Sequence, residues 1–145
     1  MNFVRVFMGI MLLTAVITAA AYAEDITVSV TPGKYSMKNE MSSNLQPDPV
    51  VKTGEKCITY RVYNPVDSLP DKANCSAINV KKKGNTVTYD IKCKGGTDQP
   101  PFNGKAEYSS NGMEIALTIV MNGEAEGKTV TITSKTRGKR VGACN

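Results

Sequence analysis

The chain has 145 residues, of which 41% are hydrophobic, and Lys and Arg outnumber Asp and Glu by 18 to 13. It contains no histidine, which excludes a Ser-His-Asp or Cys-His catalytic apparatus and removes the usual nitrogen ligand of zinc sites. The mild positive charge is explained by solubility at least as well as by a polyanionic partner.

The first 23 residues have the pattern of a secretory signal peptide. A single positive charge at Arg5 precedes an apolar run, and Ala21-Tyr22-Ala23 supplies a small-x-small cleavage site. A membrane helix is the competing interpretation, but the run is short and no basic flank follows it. We therefore expect residues 1–23 to be removed and residues 24–145 to form one soluble domain outside the cytosol.

The segments after residue 25 alternate apolar and polar side chains, as half-buried strands do. Residues 26–30 form the first predicted strand, and Tyr35, Met37 and Met41 resume the apolar phase after a Pro-Gly break. Residues 42–48 are predicted to be a polar loop, residues 50–63 a second strand region, and residues 64–74 a loop or a short helical turn.

Residues 76–93 predict a β-hairpin around Gly84-Asn85, a turn pair that tolerates positive φ. The matching alternation on both sides sets the register, since a shift of one residue would move every side chain to the other face. The predicted facing pairs are Ile78 with Ile91, Val80 with Tyr89, and Lys82 with Val87.

A second hairpin is predicted around Asn111-Gly112, with Tyr108 facing Ile115 and Ala106 facing Leu117. Asn122-Gly123 is taken as the start of a further connection, after which residues 128–136 return as a strand. The fold class is therefore all-β: an antiparallel up-and-down meander of about seven to nine strands that forms a barrel or a strongly curved half-barrel. A two-sheet sandwich is the main alternative.

All four cysteines lie in the expected mature chain, at Cys57, Cys75, Cys93 and Cys144. An even number of cysteines in an exported domain indicates two disulfides, for which three connectivities exist. The predicted alternation puts Cys93 on the apolar face and both Cys57 and Cys75 on the opposite face. Side chains on opposite faces of a sheet cannot meet in a disulfide, so this reasoning favours Cys57–Cys75 and Cys93–Cys144.

Taken together, several short motifs resemble one known family. They are Pro32-Gly33-x-Tyr35, the four ordered cysteines, Gly84-Asn85-Thr86-Val87-Thr88 and the terminal Arg140-Val-Gly142-Ala-Cys144. The pattern is similar to that of the bacterial envelope family catalogued as domain of unknown function 3617, although Tyr35 stands where that family usually has tryptophan. The resemblance implies a periplasmic or secreted β domain and implies no activity.

A weaker likeness concerns the first and last strands. Gly33-x-Tyr35 together with Arg137 or Arg140 is similar to the lipocalin closure, in which a cation packs on an aromatic ring. Such a closure would bring the two ends of the meander together.

Two groups of residues are candidate contact sites. Lys81, Lys82 and Lys83, with Lys92 and Lys94, form a predicted basic patch that either prevents edge-to-edge aggregation or contacts an anionic envelope surface or partner protein. Methionine and tyrosine side chains on the predicted inner faces either fill an irregular core or line a pocket for an apolar ligand. The predicted ligand-lining residues are Tyr35, Met37, Tyr89, Tyr108 and Met113.

Two functional hypotheses follow from these features. The first is a non-catalytic binding or interaction module of the cell envelope, and the second is a lipocalin-like carrier of a small hydrophobic or amphipathic ligand. A carrier requires a continuous apolar cavity of about 300 Å³ or more. We expect no enzyme, since the carboxylates are scattered over predicted turns and outward faces, and we expect no cofactor, no nucleic-acid partner and no membrane span after signal cleavage.

Overall fold

The computed structural model describes residues 26–69, 71–97 and 100–145, and the predicted signal peptide at residues 1–23 lies outside this range. Nine strands and one short 3₁₀ helix make up the fold, so the all-β prediction is confirmed. Their bounds are β1 Val28–Ser29, β2 Gly33–Ser43, β3 Gln46–Ile58, β4 Val62–Tyr63, the 3₁₀ helix Pro65–Ser68, β5 Cys75–Lys83, β6 Thr86–Cys93, β7 Phe102–Ser110, β8 Glu114–Ala125 and β9 Lys128–Gly142.

Seven strands form one antiparallel sheet in the order β3-β2-β9-β8-β7-β6-β5, and β1 pairs with β4 in a separate two-stranded sheet. Strands β5 to β9 follow one another as the predicted up-and-down meander, and the β2–β3 hairpin is added beside β9. Strands β3 and β5 are the two edges and do not pair with each other. Closure into a barrel is therefore wrong for the described residues, and the strongly curved half-barrel stays a prediction.

The large sheet has one covered face and one open face. The inner face carries most of the core, to which β2, β6, β7 and β8 contribute Tyr35, Val87, Tyr89, Ile91, Ala106, Tyr108 and Ile115. A covering layer of β1, β4 and the 3₁₀ helix packs on it, with Val28, Tyr63, Val66 and Leu69 in contact with the core. The outer face carries mainly threonine, serine and charged side chains, and nothing in the described chain covers it.

The 3₁₀ helix of the covering layer begins for local reasons. Asn64 accepts a hydrogen bond from the backbone N–H of Val66 at 3.1 Å, and Pro65 occupies the first helical position, where no backbone N–H is needed. Pro65 is fully buried, and its carbonyl oxygen accepts a hydrogen bond from Tyr89. The helix thereby fixes the covering layer to the sheet, and the predicted short helical turn is confirmed.

The central hairpin turns at Gly84-Asn85 as predicted, and Lys82 faces Val87. Farther from the turn the register differs, because Ala77 rather than Ile78 faces Ile91. A β-bulge between Ile78 and Lys81 causes the shift; Asn79 there has φ 53° and donates from its amide to Asp90 at 2.8 Å. The first half of β5 is therefore displaced by one residue, which turns Ile78 to the outer face, 43% exposed.

The same bulge explains why both predicted disulfide pairs are wrong. The structure has Cys75–Cys93, with Cα atoms 4.0 Å apart, and Cys57–Cys144, with Cα atoms 5.6 Å apart. The one-residue shift moves Cys75 to the face of Cys93 and makes the two direct partners in the ladder. Cys57 of β3 and Gly142 of β9 lie on either side of β2, because Lys34 of β2 is the ladder partner of both. Cys144, just after the end of β9, therefore lies close enough to Cys57 to form the disulfide. Oxidation of all four cysteines is confirmed.

The second hairpin keeps its predicted faces but not its register. Tyr108 faces Leu117, and Ser110 faces Ile115, a shift of two residues from the prediction. The turn is longer than two residues because the Asn111 side chain accepts from the backbone N–H groups of Met113 and Glu114. An even shift leaves every side chain on its own face.

Two predicted connections lie inside strands. Asn122-Gly123 belongs to β8, and the turn before β9 is Glu126-Gly127, where both residues have positive φ as a type I′ turn requires. Most of residues 42–48, predicted as a loop, belongs to β2 or β3, and only positions 44 and 45 form the turn. Prolines are tolerated in β3 because it is an edge strand, whose outward N–H groups need no partner.

The lipocalin likeness calls for an arginine beside Tyr35, and of the two candidates Arg140 lies there and Arg137 does not. It is the ladder partner of Tyr35, and its Nε donates to the Pro32 carbonyl oxygen at 2.9 Å. A Cβ atom at Gly33 would lie only 2.4 Å from that Nε, so the glycine permits the close approach. A cation–π contact with Tyr35 stays a prediction, and Arg137 lies on the outer face.

Candidate binding site on the inner face

Two of the predicted ligand-lining residues are structural. Tyr35 donates from its hydroxyl to the carbonyl oxygens of Thr31 at 2.7 Å and Gly112 at 3.1 Å, and the Tyr89 hydroxyl donates to that of Pro65 at 3.0 Å. Both rings are almost fully buried. Their hydroxyls join the sheet to segments packed at its inner face, so neither is available to a ligand.

Two others line a small cavity between the sheet and the covering layer. Tyr108 and Met37 form part of its wall, and its volume is about 110 Å³. Met113 does not contribute, since it lies in the β7–β8 turn and is 49% exposed. The remaining wall consists of Lys56, Ile58, Tyr60, Tyr63, Ser68, Ile115, Leu117 and Thr136.

Tyr108 is the feature that makes this cavity a candidate binding site. The residue is only 5% exposed, and its hydroxyl forms no hydrogen bond with any described residue. The hydroxyl itself is reachable by solvent, because no buried side-chain oxygen or nitrogen of the described residues lacks a partner. A buried tyrosine hydroxyl normally has a partner, as those of Tyr35 and Tyr89 do. Tyr108 therefore presents a free donor to the cavity.

The other polar groups of the cavity come from three elements. Tyr60 stacks on Tyr63 with ring centroids 5.3 Å apart, and Tyr63 tilts against Tyr108 at 5.2 Å, so an aromatic column runs from the surface to the buried phenol. The Tyr63 and Ser68 hydroxyls are hydrogen-bonded to each other. Lys56 of β3 forms part of the cavity wall and is itself exposed to solvent. The cavity thus combines an aromatic wall with hydroxyl groups.

Burial raises the pKa of two phenols of the cavity, Tyr108 and Tyr60. It raises the pKa of Tyr108 far above the ordinary value of 10, and the neighbouring phenols of Tyr60 and Tyr63 raise it further. Burial also raises the pKa of Tyr60 and raises the pKa of Tyr89 to about 12. The Tyr108 and Tyr60 hydroxyls therefore stay protonated at physiological pH and can donate a hydrogen bond to an oxygen atom of a ligand.

Beyond the cavity, the inner face continues as a partly exposed strip, called here the trough. It is formed by adjacent side chains of β8 and β9, namely Leu117, Ile119, Met121, Ile132, Ser134 and Thr136. At its far end Met121 and Ile132 join Phe102 and the Cys75–Cys93 disulfide around an open concavity of about 490 Å³. The trough exists because the covering layer is short and reaches only part of the sheet.

Sequence reasoning missed Tyr60, Tyr63 and Lys56. Residues 50–63 were predicted as one strand region, but β3 ends at Ile58 and the chain then turns back over the inner face. The signal that could have identified this reversal is Pro65 close behind two tyrosines three residues apart, a pattern more typical of a packed connection than of a regular strand.

The predicted basic patch is divided between two ends of the hairpin. Lys81, Lys82 and Lys83 lie beside the turn, whereas Lys92 is paired with Ser76 near the disulfide end and Lys94 follows β6. Strands of an antiparallel pair run in opposite directions, so residues close to the turn on one strand are about 20 Å from residues at the end of the other. Lys82 also points to the inner face with Val87, so these five lysines do not form one patch.

The described residues contain no group of three or more His, Cys, Asp or Glu side chains that could hold a metal ion. No helix in the part of the chain that the structure describes is long and apolar enough to cross a membrane.

Comparison with known proteins gives one match. The model of the family described as Protein of unknown function (DUF3617) matches residues 30–144. No curated protein matches the chain, and no solved structure does. The family match begins at the end of the first predicted strand and ends at the last cysteine, so it covers nearly all of the described fold. The chain therefore belongs to the DUF3617 family of proteins of unknown function.

Proposed function

We propose that the protein is a non-catalytic binding module of the bacterial cell envelope, located in the periplasm, and that it binds its target on the inner face of the sheet. Two disulfides indicate an oxidising compartment, which supports this location. The single observation that carries the binding role is Tyr108, a core residue in the cavity wall whose solvent-reachable hydroxyl has no hydrogen-bond partner among the described residues.

The position of that hydroxyl supports a ligand. It lies in the cavity wall, is not sealed from solvent and has no partner among the described residues. It can therefore donate a hydrogen bond to an oxygen atom of a ligand that enters the cavity. A volume of about 110 Å³ admits several non-hydrogen atoms but not a whole drug-sized molecule, which needs about 300–1,000 Å³. We infer that the cavity takes one end group of a larger target.

The experiment is native mass spectrometry of the protein purified from its own periplasm, beside the variant Tyr108→Phe. Wild type is expected to carry a bound species that the variant loses or carries at a much lower occupancy. Met113→Leu is the matched control, because this exposed residue lies outside the cavity, and it should keep the wild-type occupancy. Equal occupancy in wild type and Tyr108→Phe, or no bound species in wild type, would contradict the proposal.

A second candidate, the carrier of a small hydrophobic or amphipathic ligand, is favoured by the trough. Its partly exposed apolar side chains lead from the donors of the cavity to the open concavity at Phe102, so a ligand with a polar end and an apolar chain fits both parts. Since the chain contains no tryptophan, Ile119→Trp places a single fluorescent reporter in the trough. Decanoate should shift its emission, whereas Val51→Trp on the outer face of β3 should not respond.

A further inference from the structure

The outer face of the sheet carries a pair of like charges that the fold does not require. Lys38 of β2 and Arg137 of β9 are direct ladder partners, and both side chains are exposed. Like charges directly opposite each other on neighbouring strands destabilise a sheet. Across all the ladders of the described residues, no other directly paired positions carry the same charge.

In the outer-face ladder positions on either side of the Lys38–Arg137 pair, opposite charges face each other. Glu40 faces Lys135 in one, and Glu114 faces Lys139 in the other. Every nearby carboxylate also has a lysine within ion-pair distance, so none is left for Arg137, which forms no ion pair with the described residues. The ion pairs are Lys38–Glu40 at 3.7 Å, Lys139–Glu114 at 3.9 Å and Lys34–Glu55 at 3.8 Å.

Small side chains surround the pair. Thr53 lies beside Lys38, and Ala116 followed by Ser109 lies beside Arg137. Lys38, Arg137 and these neighbours line an open concavity of about 800 Å³, whose rim includes Glu114 and its partner Lys139. Nothing bulky stands over the two cations, so an anion can approach both of them at the same time.

We propose that Lys38 and Arg137 form a binding site for a phosphate group. The guanidinium fork of arginine matches two phosphate oxygens, lysine adds a compact positive charge, and the Thr53 hydroxyl beside Lys38 is a further donor. A bound phosphate also offsets the repulsion between the two cations. The group belongs either to a free phosphate or to a lipid headgroup, and the site does not depend on the proposed binding at the inner face.

The test is titration of the full ¹⁵N-labelled mature chain with inorganic phosphate at low ionic strength, followed by the backbone amide shifts of Thr53 and Ala116. Wild type should show saturable shifts, and Lys38→Gln/Arg137→Gln should bind at least tenfold more weakly. The matched control is Lys81→Gln/Lys83→Gln, which removes two outer-face cations from the edge strand β5 and should keep the wild-type affinity. No saturation in wild type, or equal losses in both double variants, would overturn the proposal, because binding would then be absent or would follow net charge alone.

Two further measurements complete the test. Cosedimentation with phosphatidylglycerol vesicles, against phosphatidylcholine vesicles, identifies the source: binding that Lys38→Gln/Arg137→Gln abolishes assigns a lipid headgroup, and phosphate binding without vesicle binding assigns a free phosphate. Without phosphate, the urea midpoint of Lys38→Gln/Arg137→Gln should equal or exceed that of wild type, since a repulsion is removed. A lower midpoint would show that the pair serves the fold and would overturn the proposal.

Discussion

Replacing a core tyrosine by phenylalanine should have different effects at two positions of the same core. Tyr89→Phe removes the donor to the Pro65 carbonyl oxygen, 3.0 Å away, and leaves that oxygen without this partner in the interior. The loss should be about 1–3 kcal/mol of unfolding free energy. Tyr108→Phe removes a hydroxyl that has no partner among the described residues and is reachable by solvent, so its unfolding free energy should stay within about 0.5 kcal/mol of wild type.

The assay is urea unfolding followed by far-ultraviolet circular dichroism, with the disulfides intact and all three proteins at the same pH. Each substitution keeps the aromatic ring, including the contact of Tyr108 with Tyr63 at 5.2 Å, so packing changes little. Equal slopes of free energy against urea would show that the three transitions are comparable. A Tyr108→Phe variant destabilised as much as Tyr89→Phe would mean that the Tyr108 hydroxyl is already satisfied in the native state, and the argument for a ligand would fail.

Three further outcomes are expected from the same unfolding assay. Gly33→Ala should lower the unfolding free energy by about 2–4 kcal/mol, because the new Cβ would lie 2.5 Å from a backbone carbonyl oxygen. Gly54→Ala is the control: its Cβ would have no atom within 4 Å, so the unfolding free energy should change by less than about 0.5 kcal/mol. Removing Cys57–Cys144 should lower the unfolding free energy by about 1–1.5 kcal/mol more than removing the hairpin disulfide Cys75–Cys93 does. The reason is loop length, since the first bond joins residues separated by 87 positions and the second joins residues separated by 18. Equal losses of unfolding free energy would contradict this. Stability should be constant up to about pH 9.5 and fall between pH 10 and 12. The cause is that burial raises the pKa of Tyr89 to about 12, so the unfolded chain releases its phenolic protons at a lower pH than the folded chain does. Tyr89→Phe should make this fall less steep, and an unchanged slope of stability against pH would contradict the cause.

Alternation and turn chemistry made the sheet itself predictable. Gly84 adopts positive φ at the predicted turn, and the pairing next to it, Lys82 with Val87, is as expected. Three residues before Lys82 in β5 the prediction fails at the bulge, because an asparagine with positive φ, Asn79, leaves no distinct mark in the alternation. That single extra residue exchanges the faces of Cys75 and Ile78, which is why a well-specified hairpin still led to the wrong disulfides.

The candidate site was predictable only where it lies on regular strands. Met37 and Tyr108 were identified because their period-2 positions point inward, and the even register shift of the second hairpin preserved that face. Tyr60 and Tyr63 belong to a segment that folds back over the sheet, where local periodicity carries no information about what it will cover. Met113 was misplaced for a related reason, since the side chain of Asn111 lengthens the turn and removes Met113 from the strand.

Both proposed sites carry groups that folding alone does not require. At position 108 a phenylalanine would fill the same space without a hydroxyl that lacks a partner among the described residues. At position 137 a threonine, like others on the outer face of β9, would suit the sheet without facing Lys38. The two groups lie on opposite faces of one sheet, so neither serves the other. Each matches a ligand of complementary chemistry, an oxygen acceptor at Tyr108 and a phosphate at Arg137, and binding on both faces accounts for both.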